Sequence, residues 1–250
     1  MKTVVVIPAR YLSTRFPGKP LAKIGNKTMI RHVYDQALKT GFDVYVATDD
    51  SRIVDEVKSW NGNVVETSTF HKSGTERLAE AVTKISEEYN IVVNVQGDEP
   101  FIKPEQIKKV ASLLKYDELA QISTLVKQIK DKNELFDTSI PKVIFDKKNY
   151  ALYFSRSTIP FVRGVDKDEW LNKATFFKHI GIYGYKKNVL LEIAALDVTI
   201  AETAEMLEQL RWMQYGYKIK VEVTDYDTLS IDTPADLEKA IKLFEQKKEN

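Results

Sequence analysis

Five short runs rich in β-branched residues, at 4–7, 44–48, 64–66, 91–95 and 122–126, alternate with longer stretches of helical period at 29–40, 51–60, 74–89 and 104–116. Strands separated by helices cannot pair as hairpins. Each helix instead crosses one face and returns the chain in the same direction, so the pattern predicts stacked βαβ units around a largely parallel sheet. At 250 residues the chain can bury one full core, and no linker, repeat or low-complexity tract divides it. A single domain over 1–250 is expected.

Beyond residue 126 the pattern changes. "KVIFDKKNYALYFSR", from Lys142 to Arg156, alternates around a polar Asp-Lys-Lys-Asn turn and predicts a hairpin added to the α/β core. A charged, poorly periodic stretch at 163–173 follows, and then "KHIGIYGYKK", which reads as another strand. A helix at about 203–215, two short strands and a last helix opened by "DTPADLEKA" complete the chain. Thr233 suits the cap of that helix and Pro234 its first turn, and the terminal "EQKKEN" is expected to fray.

Composition narrows the function classes. A net charge of +1 gives no global attraction to nucleic acid or acidic membranes, so any cationic site must be local. The absence of cysteine excludes disulfides and thiolate metal sites. The chain enters a strand almost at once, without a basic and then apolar leader, and has no apolar run long enough to span a bilayer. The cytoplasm is the expected location.

Ligands of parallel α/β sheets bind beyond the carboxyl ends of the strands, and the first strand ends at Pro8. In "PARYLSTRFPGKPL" the next residues gather Arg10, Arg15 and Lys19 around prolines and a glycine. The spacing is not that of a P-loop, because Pro20 stands where Ser or Thr would follow the lysine, and GxGxxG is also absent. A stiff loop with three cations suits a polyphosphate, as substrate or leaving group. Read from charge alone, it is equally a solvated basic surface.

Two carboxylates tilt that balance. "VVNVQGDEP" puts Gln96, Gly97, Asp98 and Glu99 at the end of an apolar strand, where an acid is a natural magnesium ligand; a turn or cap before Pro104 is the alternative. Asp232 closes "LSID" in the same manner, although taken alone it reads more readily as a helix cap. In "HKSGTERLAEA", Ser73, Gly74 and Thr75 would open a helix with anion-friendly amides and Arg77 adds charge; simple capping accounts for the serine and threonine equally well. His71 and Asp49 are uninformative by themselves.

Eight segments in order, "IPARYLSTRFPGKPL", "VATDD", "HKSGTERLAEA", "NVQGDEP", "YALYFSRSTIP", "HIGIYGY", "EMLEQLRWMQYGYKI" and "IDTPADLE", together resemble the 3-deoxy-manno-octulosonate cytidylyltransferases across nearly the whole chain. The resemblance implies a nucleotidyltransferase-type, Rossmann-like α/β fold: a mainly parallel sheet flanked by helices, with a sugar-binding and dimerisation lobe inserted at about 130–190. It implies a homodimer that uses Mg²⁺ to join the sugar acid 3-deoxy-D-manno-octulosonate (Kdo) to CTP, releasing pyrophosphate for lipopolysaccharide biosynthesis. Arg10, Arg15 and Lys19 match the triphosphate loop, Ala9 a backbone contact to cytosine, and Ser73, Gly74, Thr75, Arg77 and Gln96 the rest of the nucleotide pocket. Asp98 and Asp232 match the metal pair, and Arg10 and Lys19 join them as the expected catalytic set. Arg156, His179, Tyr183, Glu208 and Gln209 match sugar positions, with Arg156 and His179 as the expected partners of the sugar carboxylate.

The residue types suit that chemistry, since a hemiketal hydroxyl close to a metal needs no dedicated histidine base and the chain has three histidines in all. Other readings of the sugar residues stay open: the "YALYFSR" aromatics as hairpin core, and Glu208 as a surface charge pairing with Arg211. Ser139 and Pro141 replace an Asn-x-Val-Lys-like run, Ser230 a common glycine and Phe161 a frequent tryptophan, which leaves 8-amino-Kdo open as an alternative substrate. Sugar-phosphate and sialic acid activation are more distant, because related loops for those substrates are richer in glycine or carry Gly-Ser-Lys. A non-catalytic nucleotide-binding domain would be expected to lose the acids or cations that are present here.

Overall fold

A computed structural model describes residues 1–12 and 16–249; Arg15 lies outside the described residues. The first half follows the expected alternation: β1 (Thr3–Ala9), the small β2 (Lys23–Ile24) and β3 (Lys27–Thr28), α1 (Met29–Leu38), β4 (Asp43–Thr48), α2 (Ser51–Ser59), β5 (Val64–Glu66), α3 (Gly74–Lys84), β6 (Ile91–Asn94), α4 (Pro104–Tyr116) and β7 (Ile122–Gln128). After β7 come α5 (Lys132–Phe136), the hairpin β8 (Lys142–Phe145) and β9 (Ala151–Ser155), α6 (Trp170–Lys173), β10 (Phe177–Lys186), α7 (Lys187–Ala194), α8 (Ile200–Glu205), α9 (Gln209–Gln214), β11 (Ile219–Val223) and α10 (Pro234–Glu249).

The main sheet has the order β11-β7-β10-β6-β1-β4-β5. Its β1–β4, β1–β6, β4–β5 and β7–β11 pairs are parallel. Strand alternation divides the core into two layers. Val4 and Val6 of β1 face Leu78, Val82, Leu190 and Trp212 from α3, α7 and α9. Val5 and Ile7 face Ile30, Val33, Ile53 and Ile107 from α1, α2 and α4.

Four features differ from the sequence reading or add to it. "KHIGIYGYKK" does form a strand, but β10 runs antiparallel between β6 and β7 in the centre of the sheet. Its close approach requires Gly184, where a Cβ would lie 2.5 Å from Ser123 Oγ. The helix expected at 74–89 ends at Lys84, because Ile85 turns extended and buries its side chain in the core while the next residues are polar. The helix expected at 203–215 splits at Met206, whose φ of 51° is left-handed. That break sends Leu207 into the core and lets Glu208 and Gln209 face a cavity. Of the two short strands expected before the last helix only β11 forms; beyond it, the Lys178–Asp227 ion pair (3.1 Å) and a bond from Ile231 N–H to the Asp98 carbonyl (3.0 Å) help tie the chain down. Thr233 and Asp236 cap α10 reciprocally, with bonds of 3.1 and 3.2 Å between side chain and backbone.

Between β7 and β10 the inserted chain builds a satellite core from Ile129, Leu135, Trp170 and Phe176. Lys142 anchors the hairpin from a fully buried position: its Nζ donates to the carbonyls of Asp137 (2.5 Å), Ile140 (2.8 Å) and Arg156 (3.3 Å). At the hairpin turn, Tyr150 donates to Asp117 (2.8 Å), which also pairs with Lys220 of β11 (2.9 Å). Lys220 and then Tyr150 hold the Asp117 carboxyl down at about 2. A depressed carboxyl contributes stability in full above its unfolded value of about 3.9 and loses it as the pH falls through the folded one. Asp117→Asn is therefore expected to remove about 1 kcal/mol from the stability difference between about pH 6 and about pH 2, in denaturant melts at both pH values. An unchanged pH dependence would show that this pin is not coupled to folding.

Candidate active site

The carboxyl ends of β1 and β6 lie side by side, because those strands are parallel neighbours. Ala9 closes β1 in a buried position and Arg10 follows it exposed. The basic loop returns to this edge through Gly18, whose N–H donates to the Tyr11 carbonyl (2.8 Å). Its φ of 72° suits glycine there, and it opens a single helical turn at Lys19. After β6 the backbone passes so close to β1 that a Cβ on Gly97 would lie 3.0 Å from the Pro8 carbonyl.

Lys19 Nζ sits 2.6 Å from Asp98 Oδ2 and 3.3 Å from Asp232 Oδ1. These carboxylates are 134 residues apart in the chain by their numbering (232 minus 98), and they converge on a single cation. The donor set fits magnesium, which is held by one or two carboxylates completed by substrate phosphate oxygens and water. No group of three or more His, Cys, Asp or Glu suited to a metal occurs among the described residues.

Two adjoining cavities flank the cluster and share Gln96 and Tyr183. Arg10, Gly74, Thr75, Arg77, Glu208 and Gln209 line the smaller one, of about 200 Å³. The larger, of about 510 Å³, holds Asp98, Asp232 and His179. Ser73 caps α3 by accepting from Glu76 N–H (3.2 Å). Thr75 donates to Glu208 (2.8 Å). Burial raises the Glu208 carboxyl, against the lowering effect of the Thr75 and Ser73 hydroxyls. Glu208 is thus a cavity group, and Arg211 pairs instead with Glu202 (2.6 Å).

Several expected roles are altered by their surroundings. Arg77 lines the cavity, but it is 1% exposed and bound to Asp49 (2.9 Å) and Thr67 (2.6 Å), so its charge is already matched. Asp49, uninformative in the sequence, is its counter-ion. Arg156 does not line either cavity: its guanidinium donates to the carbonyls of Glu205 (2.6 Å), Thr138 (3.1 Å) and Met206 (3.3 Å). Nor does His179 offer a positive charge, since burial lowers its pKa to about 4. The Thr124 hydroxyl donates to the Ile182 carbonyl (2.7 Å), so His179 Nε2–H donates to Thr124 Oγ1 (3.0 Å) and Nδ1 keeps the lone pair. His179 is a hydrogen-bonding group in the larger cavity. Tyr183 remains a phenol, its pKa pushed well up by burial.

Sequence reasoning missed Asn94, Tyr185 and Trp212 in the smaller cavity, and placed Glu99 at the ligand side without giving it a role in the larger. Asn94 carried a signal, a polar residue inside the apolar run "IVVNV"; the two aromatics read only as core. Ser139, Pro141 and Ser230, where the chain departs from the resemblance, line the larger cavity. Phe161 stacks edge-on against Trp170 at 5.2 Å.

This arrangement has close counterparts. The cytidylyltransferase family matches residues 4–219. The 3-deoxy-manno-octulosonate cytidylyltransferase of Parabacteroides distasonis is 52% identical over 245 residues, covering 96% of this chain and 97% of that protein. The protein of the same name from Thermodesulfovibrio yellowstonii is 49% identical over 255 residues, covering 97% of this chain and 98% of its own. A solved structure of CMP:2-keto-3-deoxy-manno-octonic acid synthetase complexed with CTP superposes with a TM-score of 0.92 at 41% identity, over 99% of this chain and 100% of that one. Likeness of this extent, in sequence and in overall structure, makes the chain a member of the cytidylyltransferase family and, within it, of the 3-deoxy-manno-octulosonate cytidylyltransferases.

Proposed function

We propose that the protein transfers CMP from CTP to the anomeric hydroxyl of Kdo, giving CMP-Kdo and pyrophosphate for lipopolysaccharide biosynthesis. The observation that carries this reading is the convergence of Asp98, Asp232 and Lys19 at the strand ends, between a cavity with Arg10 and a second cavity large enough for a sugar acid. CTP takes the smaller cavity and its edge toward Lys19; the sugar takes the larger one. The relatives are named for the hydroxy sugar, so the 8-amino analogue is not favoured. Intact metal acids and phosphate cations argue against a non-catalytic domain.

Asp98 and Asp232 would hold Mg²⁺, which when bound supplies charge neutralisation and polarisation of the phosphates for in-line displacement. Arg10 and Lys19 place cationic donors where pyrophosphate accumulates charge on leaving. Thr75 and Ser73 hold Glu208 in place, so that its remaining acceptor capacity faces ligand. The Nδ1 lone pair of His179 accepts from a sugar hydroxyl. The enzyme is placed by this reading in the cytoplasm and as a homodimer; Leu152 and Phe161, which leave apolar surface exposed on the inserted lobe, support the dimer alone. No helix among the described residues is long and apolar enough to cross a membrane.

The test is pyrophosphate release with CTP and Mg²⁺, comparing Kdo, 8-amino-Kdo, N-acetylneuraminate and no sugar. Release is expected with Kdo far above the others. Preference for the amino sugar would move the substrate, and no release with any of them would sink the enzymatic reading.

A further inference from the structure

Strand β4 pairs with β1 so that Thr48 stands opposite Ala9, which brings the turn into α2 to the foot of the basic loop. There Asp50 caps α2 by accepting from Arg52 N–H (3.0 Å). The same carboxylate takes the Arg52 guanidinium at two points, accepting from Nε at 2.9 Å and from a terminal nitrogen at 2.7 Å. A guanidinium gripped twice is fixed in plane as well as in place. Its central carbon stands 3.2 Å from the centre of the Tyr11 ring, over the ring face.

Tyr11 passes that anchorage to the loop. Its carbonyl accepts from Gly18 N–H (2.8 Å), and a Cβ on Gly18 would lie 3.2 Å from the Tyr11 ring, so the bare glycine backbone packs directly against it. Arg10 precedes Tyr11 in the chain and Lys19 follows Gly18. The two cations assigned to phosphate are thus the immediate neighbours of the pair that Tyr11 joins. Neither Tyr11 nor Arg52 lines either cavity, so any effect they have on a ligand travels through the loop. The Arg52 side chain is 54% exposed, and an ion pair so open to water adds little to folding. What the stack adds is order in the loop before binding, which spares the ligand the entropy of ordering it.

Resting on the reading that Arg10 and Lys19 meet the phosphates of CTP, we infer that Arg52 and Tyr11 are positioning residues for the triphosphate: their stack, set by Asp50, holds Arg10 and Lys19 in register. Isothermal titration calorimetry of the full chain with CTP, CMP and pyrophosphate, each with Mg²⁺, tests this without sugar or turnover, and thermal melts check that each variant folds. Arg52→Met is expected to weaken CTP and pyrophosphate about fivefold and CMP less than about twofold, since CMP lacks the two outer phosphates. Tyr11→Leu does the same without a change of charge, and the double variant binds no more weakly than the weaker single one. Tyr11→Phe keeps the ring face and binds as the wild type does. Should Tyr11→Leu fail to fold, the CTP-against-CMP split in Arg52→Met and the behaviour of Tyr11→Phe decide. A loss confined to Arg52→Met, with Tyr11→Leu folded and unaffected, would make the arginine a charge acting on the phosphates directly. Equal losses for CTP and CMP would make the pair merely structural. Either result, or unchanged affinities in Arg52→Met, overturns the inference. A wild type that binds CTP no more tightly than CMP instead overturns the placing of the phosphates at this loop.

Discussion

Asp98→Ala is expected to lower kcat about 10³-fold and to leave the fold in place. The loss follows from the proposed metal role, in which Asp98 is one of two carboxylates that would hold a divalent ion, an electrostatic contribution of several kcal/mol at about 1.4 kcal/mol per tenfold in rate. The fold survives because the backbone of Asp98, not its side chain, makes the structural bond: its carbonyl accepts from Ile231 N–H at 3.0 Å, and alanine keeps that carbonyl. The side chain is 22% exposed, so no buried hole is opened. Turnover at saturating Mg²⁺, with circular dichroism as the control, checks the prediction. Near-normal activity would remove the metal role from Asp98.

Lys142→Met is expected to destabilise the protein by about 3 kcal/mol, because three carbonyls lose one shared donor and each buried acceptor left unmade costs about 1–3 kcal/mol, offset in part where water enters. Methionine retains the apolar stem, which isolates the effect of the ammonium. Burial lowers the Lys142 pKa, and the Asp137 carboxylate opposes that shift, so the charge is held by the segment it organises. Ile140 and Arg156 bracket the hairpin through the same Nζ, and Ser139, Ile140 and Pro141 line the sugar-side cavity. KM for Kdo should therefore rise as stability falls, with KM for CTP little changed. A urea midpoint equal to that of the wild type would show that the carbonyls are satisfied without the lysine.

Local physics accounts for what was readable in the chain. The five early strands appear within a few residues of their expected positions, since a run such as "VVVI" alternating with helical period has few ways to hide its apolar surface. Ser73 and Thr233 cap the helices they precede. The basic loop and the acid of "QGDEP" stand at strand ends because parallel strands put their carboxyl ends on one edge, whereas the acid of "IDTP" reaches that edge without a strand of its own.

Tertiary contacts decided the rest. Nothing within "KHIGIYGYKK" states its direction; pairing with Asn94 on one side and Thr124 on the other makes β10 antiparallel. Nothing along the chain states that the Arg156 guanidinium bonds carbonyls from residues 138, 205 and 206. Burial lowers the His179 pKa to about 4 and leaves it a hydrogen-bonding group, and the fold leaves Glu99 Oε2 without a partner among the described residues. The sequence by itself determined which segments could be strands or helices and which residue types carry charge, because those follow from neighbours along the chain. Burial, protonation and pairing depend on groups distant in sequence. Those groups meet only when the sheet closes around β10, and so only the tertiary structure could decide which charges remain available to a ligand.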